Sequence, residues 1–99
     1  MTTIVILDIP ADSDNRDTIY NTLATALEDT RRFEGNEGLE LLVNQDDQCN
    51  IVVYERWRSR ADYDRYLAYR QESGFSAELR AMISGDIVVR KFDIDRDYG

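Results

Sequence analysis

Ninety-nine residues carry 12 basic and 20 acidic side chains, a net charge of −8 at pH 7, and 42% of them are apolar. That is the size and hydrophobicity of one globular domain, expected to span residues 1–99, and its acidity argues against nucleic acid or an anionic membrane as main partner. Zero histidines and a single cysteine, Cys49, exclude a Ser-His-Asp or Cys-His apparatus, a histidine zinc site, a proximal-His haem and an internal disulfide.

The first element is Thr3 to Ile9, a β-branched run that predicts a strand ending at Pro10. Ala11 to Asn15 is turn-forming, and a helix is expected from about Asp14 to Arg32. Ile19, Leu23, Ala26 and Leu27 recur on one of its faces. Acids at its start and Arg31-Arg32 at its end suit the helix dipole, and Gly35 and Gly38 stop it. The acids Asp12, Asp14 and Asp17 do not make a calcium loop: the fifth ligand position is Arg16, the required glycine is Asp17, and the closing glutamate is Leu23.

Leu39 to Val43 reads as a second strand, Asn44 to Asp47 as a hairpin turn, and Ile51 to Trp57 as the returning strand. Ser59 is an N-cap with Asp62 three residues on. Tyr63, Tyr66, Leu67 and Arg70 follow at helical spacing until Gly74, and a shorter helix is expected from Phe75 to Ile83. Gly85 leads into a last strand, Asp86 to Ile94.

The order β-α-β-β-α-α-β is the ferredoxin-like split βαβ arrangement, an α+β fold with a four-stranded antiparallel sheet and helices on one face. Ile4 and Ile6 point one way, and Val5, Leu7 and Ile9 the other. Ile51 and Val53 likewise oppose Val52 and Tyr54, and Val89 opposes Val88 and Phe92. Both faces are apolar, yet helices can cover only one. The uncovered face is expected to pack against a second copy, giving a face-to-face homodimeric barrel.

The stretch from Tyr54 to Leu67, with Glu55-Arg56-Trp57, the small N-cap Ser59 and Tyr63 six positions after the tryptophan, resembles the antibiotic biosynthesis monooxygenase family. Arg32-Phe33-Glu34-Gly35 resembles that family's Arg-x-x-Gly helix exit, and Gly85 to Phe92 its last strand. The resemblance implies a dimeric α+β barrel and an oxygenase that uses neither metal nor flavin. Its substrate would be a phenolic or quinol-type aromatic, deprotonated to an anion that reacts with molecular oxygen. Trp57 and Tyr63 resemble the aromatic pocket residues of polyketide-oxidising members, although the polar strand residue that accompanies them there is Val53 here. Many quinol-oxidising relatives carry a histidine near the position of Tyr66. Haem-degrading relatives need a first-strand Asn and a His, where this chain has Asp8 and no histidine.

The candidate site is therefore Trp57, Tyr63 and Tyr66 as substrate-binding residues, with Tyr63 and Tyr66 as catalytic candidates that orient a substrate oxygen or relay a proton. No metal or cofactor ligands are expected. Each residue also has a packing explanation: Trp57 as core, the tyrosines as an amphipathic helix face. Glu55 shares the parity of Trp57 and reads either as a general base or, preferably, as an ion-pair partner at the dimer seam. Arg80 and Arg90 read either as groups that steady a phenolate or, preferably, as partners of surface acids. A ligand-binding dimer without catalysis, or an isomerase or cyclase on a polyketide-like substrate, remain alternatives on the same fold. No basic leader or bilayer-length apolar run occurs, so a cytoplasmic protein is expected.

Overall fold

The computed structural model describes residues 1–83 and 85–99. Its elements run β1 (Thr3–Pro10), α1 (Arg16–Arg32), β2 (Asn36–Asn44), β3 (Asp47–Trp57), α2 (Arg60–Glu72), α3 (Phe75–Met82) and β4 (Val88–Asp93). The sheet order among the described residues is β2-β3-β1-β4 with every pairing antiparallel. This is the expected α+β arrangement, a four-stranded antiparallel sheet with the order β-α-β-β-α-α-β.

Alternation decides which side of the sheet meets the helices. Val5, Ile9, Ile51, Val53 and Trp57 are buried on the helix side. Ile9, Ile51 and Val53 join Ile19, Leu23 and Leu27 of α1 and Leu79 of α3 in one core cluster. Val5, Trp57, Tyr63 and Tyr66 form a second. Each fully buried aliphatic side chain in these clusters contributes roughly 1.5–3 kcal/mol.

The boundaries depart from the expected ones where side chains bond the backbone. α1 starts at Arg16, two residues after the expected Asp14. Asp12 Oδ1 accepts from the backbone N–H of Asp14 and of Asn15, both at 3.0 Å, and folds that stretch into a turn instead. Asn15 Nδ2 then donates to the Met82 carbonyl at 2.6 Å, tying the start of α1 to the end of α3. β2 begins at Asn36 rather than Leu39, so Gly38 lies inside the strand, at an irregularity in its register with β3. The hairpin turn contracts to Gln45-Asp46, with Asn44 Oδ1 accepting from the Asp46 N–H at 2.9 Å.

α1 ends at its C-cap Phe33, whose N–H donates to the Thr30 carbonyl, and Gly35 in the turn that follows is glycine for two reasons. Its φ is +92°, and a Cβ there would stand 2.4 Å from Cβ of Asp62. Asp62 is the third residue past the Ser59 N-cap of α2: Ser59 Oγ accepts its backbone N–H at 3.2 Å and donates to its carboxylate at 2.9 Å. Arg58 pairs with the same carboxylate at 2.8 and 2.9 Å, and Arg65 joins it. The Arg58 bonds, opposed by desolvation, hold the Asp62 carboxyl down at about 2. The backbone of the first helix exit thus rests on the cap of the second.

Among the described residues no helix covers the other sheet face. Ile4, Ile6 and Asp8 share it with Val52, Tyr54, Val88, Arg90 and Phe92, which stand opposite them in the register. Val88 is 52% exposed and Phe92 43%. Arg90 pairs with Asp8 across it at 3.1 Å, a surface acid as the sequence suggested.

Candidate functional site

β3 alternates from Ile51 to Trp57, so Val53, Glu55 and Trp57 all face the helices. Glu55 is the exception in that series: a carboxylate in a row of apolar positions, 3% exposed. Above it, between the sheet and the three helices, lies a cavity of about 100 Å³. Leu7, Leu23, Leu27, Val53 and Leu79 supply much of its apolar wall. Thr30, Glu55, Tyr63, Tyr66, Arg70 and Arg80 bring polar atoms to it.

Helical spacing places Tyr63, Tyr66 and Arg70 on the buried side of α2. Arg70 Nε donates to the Tyr66 hydroxyl at 2.8 Å. The Tyr66 and Thr30 hydroxyls lie 2.7 Å apart. A second Arg70 nitrogen donates to the Ala26 carbonyl at 2.7 Å and to Thr30 Oγ1 at 3.1 Å. This guanidinium is 4.7 Å over the Phe75 ring. α1, α2 and α3 are therefore joined at one polar knot, and the Tyr66 oxygen is fixed in place.

Trp57 completes the arrangement from behind. It is fully buried, and its Nε1 donates to Glu55 Oε1 at 2.9 Å. Its ring lies 4.9 Å from that of Tyr66 and 5.9 Å from that of Tyr63. The sequence-predicted trio is thus one cluster. Tyr63 and Tyr66 line the cavity, whereas Trp57 stands one layer back and meets it through Glu55.

The electrostatics follow from burial. Desolvation pushes the Glu55 carboxyl up to about 7, against the Trp57 hydrogen bond and the positive charge of Arg70, which favour ionisation. Burial, together with the nearby Glu55 charge, raises the Tyr63 phenol above its ordinary range. Burial also raises Tyr66, with the bonds from Thr30 and Arg70 pulling the other way. Tyr63 consequently stays protonated at neutral pH. Its hydroxyl has no hydrogen-bond partner among the described residues, leaving it able to donate to a bound molecule.

Two sequence expectations are corrected. Glu55, preferred as an ion-pair partner at a dimer seam, faces the opposite way, into the cavity, because it shares the helix-facing parity of Val53 and Trp57. Arg80, for which a surface-acid pair was the preferred of two readings, lines the cavity instead and makes no ion pair among the described residues. Thr30 and Arg70 were missed as site residues. The signal was available: Arg70 is seven residues after Tyr63 and four after Tyr66, on the same helical stripe, and Thr30 falls three after Leu27.

Among the described residues no three His, Cys, Asp or Glu side chains gather as a metal site, and no helix is long and apolar enough to cross a membrane. Comparison with solved structures finds the same fold in Rv0793 from Mycobacterium tuberculosis, with a TM-score of 0.88, 19% identity and complete coverage of both chains. A Deinococcus radiodurans protein provisionally assigned as an antibiotic biosynthesis monooxygenase matches with a TM-score of 0.89 and 12% identity, over 98% of this chain and 96% of its own. A further antibiotic biosynthesis monooxygenase structure matches with a TM-score of 0.80 and 22% identity, over 94% of this chain and 97% of its own. No curated protein matches the sequence. The family model described as antibiotic biosynthesis monooxygenase matches residues 2–78. The chain belongs to the antibiotic biosynthesis monooxygenase family.

Proposed function

We propose that this protein is a monooxygenase that acts, without metal or flavin, on a phenolic or quinol-type aromatic substrate held in the cavity between sheet and helices. The observation that carries this reading is the cavity itself: an apolar space beside an unpartnered tyrosine hydroxyl and a fixed tyrosine–arginine pair. Such a space desolvates a planar aromatic, and a few placed polar groups orient its oxygen. Family membership supports the reaction class.

In the reaction the substrate loses a proton and becomes an electron-rich anion. The anion supplies the electrons that reduce oxygen. One oxygen atom enters the product and the other leaves as water, so the substrate gains one oxygen and loses two hydrogens. Tyr63 donates a hydrogen bond to the substrate oxygen. Tyr66, held by Arg70 and Thr30, fixes the electropositive side of the cavity where the anion rests. Trp57 backs the wall and holds Glu55.

The working unit in this reading is a homodimer closed over the open sheet face. The exposed Val88 and Phe92 and the half-buried Ile6 and Tyr54 form the contact. The test of function is turnover of hydroquinones and polycyclic phenols under labelled oxygen. The expected product carries one labelled atom. Saturable binding without turnover would make the protein a ligand binder instead, and a product of unchanged mass would make it an isomerase.

A further inference from the structure

Among the described residues Glu55 is a buried carboxylate with no ion-pair partner. It lines the cavity and is 3% exposed. Its one hydrogen bond among the described residues comes from Trp57 Nε1, at 2.9 Å to Oε1. Arg70, whose positive charge reaches it, makes no ion pair with it among the described residues: Nε and one Nη go to the Tyr66 hydroxyl, Thr30 Oγ1 and the Ala26 carbonyl. A structural carboxylate at this depth would normally be paired, because an unpaired buried charge is costly. Here the protein keeps one carboxylate oxygen held by an indole and the group open to the cavity.

We infer that Glu55 is the base that takes the hydroxyl proton from a phenolic substrate in this cavity, with Trp57 as its positioning residue and the Arg70–Tyr66 pair holding the anion that results. This rests on the oxygenase reading above. The substrate O–H bond breaks, its electron pair stays on the phenolic oxygen, and the proton forms a new O–H bond on Glu55. Nothing is oxidised in this step. Negative charge moves from the carboxylate to the substrate, towards Arg70, and the site's total charge is unchanged.

The charged and titratable groups around the acceptor agree with this role. Tyr63, Tyr66 and Arg70 face it from α2, and Arg80 lines the same cavity from α3. Lys91 of β4 shares the helix side of the sheet, 6.0 Å from the Tyr63 ring centre. Two tyrosines that remain protonated and three cations leave Glu55 as the sole carboxylate lining the cavity among the described residues. A carboxyl that titrates near neutrality is also well matched to accepting a proton at physiological pH.

The test is an anaerobic titration with 6-cyano-2-naphthol, whose phenol and phenolate absorb differently, on the whole protein. The wild type is expected to bind it as phenolate at a pH where the free probe is neutral. Glu55→Gln is expected to bind it as the neutral phenol, and in air to lose about 100-fold or more in kcat on an oxidised phenol. A Gln variant that still produces phenolate, or turns over like the wild type, overturns the inference. So does a wild type that binds the probe only as phenol. Because the titration needs no oxygen, it separates the two readings: proton transfer without oxygen uptake sinks the oxygenase and keeps the base. Should Glu55→Gln fail to fold, Trp57→Phe decides. Losing the indole donor moves the acid limb of the pH–rate profile up by about half a unit or more. A profile that does not move overturns the inference.

Discussion

Replacing Glu55 with glutamine removes an ionisation that the fold opposes, and the consequence for stability has a definite sign. The Glu55 carboxyl titrates near 4.5 when exposed and at about 7 when buried in the folded chain. Between those values the folded form keeps the proton and the unfolded form has lost it. The unfolded state therefore binds fewer protons, and stability falls as pH rises through this window. At about 1.4 kcal/mol for each pH unit, the loss reaches about 3 kcal/mol once both states are ionised. Glutamine keeps an oxygen to accept the Trp57 N–H and carries no charge. Glu55→Gln should therefore match the wild type near pH 4.5 and exceed it by about 3 kcal/mol at pH 8. Urea unfolding at both pH values, at one fixed protein concentration, measures this, and the other carboxylates cancel in the difference. Two stability curves that run parallel from pH 4.5 to 8 would refute the reasoning. A cavity carboxylate that weakens its own fold at neutral pH is the stability–activity trade-off expected of a base, and this links the measurement to the base role.

Gly35→Ala should lower stability by about 2–4 kcal/mol, from the strained φ and the overlap with Asp62, read as a lowered urea midpoint; a midpoint within error of the wild type would contradict the packing described. Val88→Asp should leave the fold intact by circular dichroism and halve the mass by light scattering, because Val88 is on the open face. Val5→Asp should unfold the chain, because Val5 is fully buried under the helices. A dimeric Val88→Asp would refute the face-to-face arrangement. Tyr66→Phe removes the hydroxyl that accepts from Arg70 Nε and bonds Thr30, and should cost about 1–3 kcal/mol of stability along with turnover, measured by unfolding and by steady-state oxygen uptake. Acid should weaken the α1–α2 junction as pH falls through the window between about 4 and 2. There the Asp62 carboxyl, held low by Arg58, finally takes up its proton, and its support is complete only above that window. Thermal unfolding of Asp62→Asn should show a correspondingly flatter acid limb.

The fold was legible in the sequence because periodicity marked the elements and, for α2, the start signal marked an end as well. Ile19, Leu23 and Leu27 marked the buried face of α1, and Ser59 with Asp62 marked the start of α2. Alternation along β3 already put Glu55 and Trp57 on one side. The helix-facing side follows from the apolar partners Ile51 and Val53, and these outweigh the pull of a charged residue towards solvent. That competition is why the sequence alone favours a seam for Glu55. Element ends were harder to place, since side-chain bonds from Asp12 and Asn44 settle them, and such bonds leave no periodic trace. The Thr30–Tyr66–Arg70 knot joins residues up to 40 positions apart, and only the packing of α1 on α2 brings them together. Arg70 carried the helical stripe, but a charged residue on a buried stripe reads as a boundary until its partners are known.

Oxygen consumption by the purified, metal-free wild type with hydroquinones and polycyclic phenols, followed by mass analysis under labelled oxygen, tests the central claim most directly. The account predicts uptake of one oxygen molecule for each substrate converted, with one labelled atom in the product and the other in water. Binding of these compounds without oxygen uptake, or a product with no label, would contradict it.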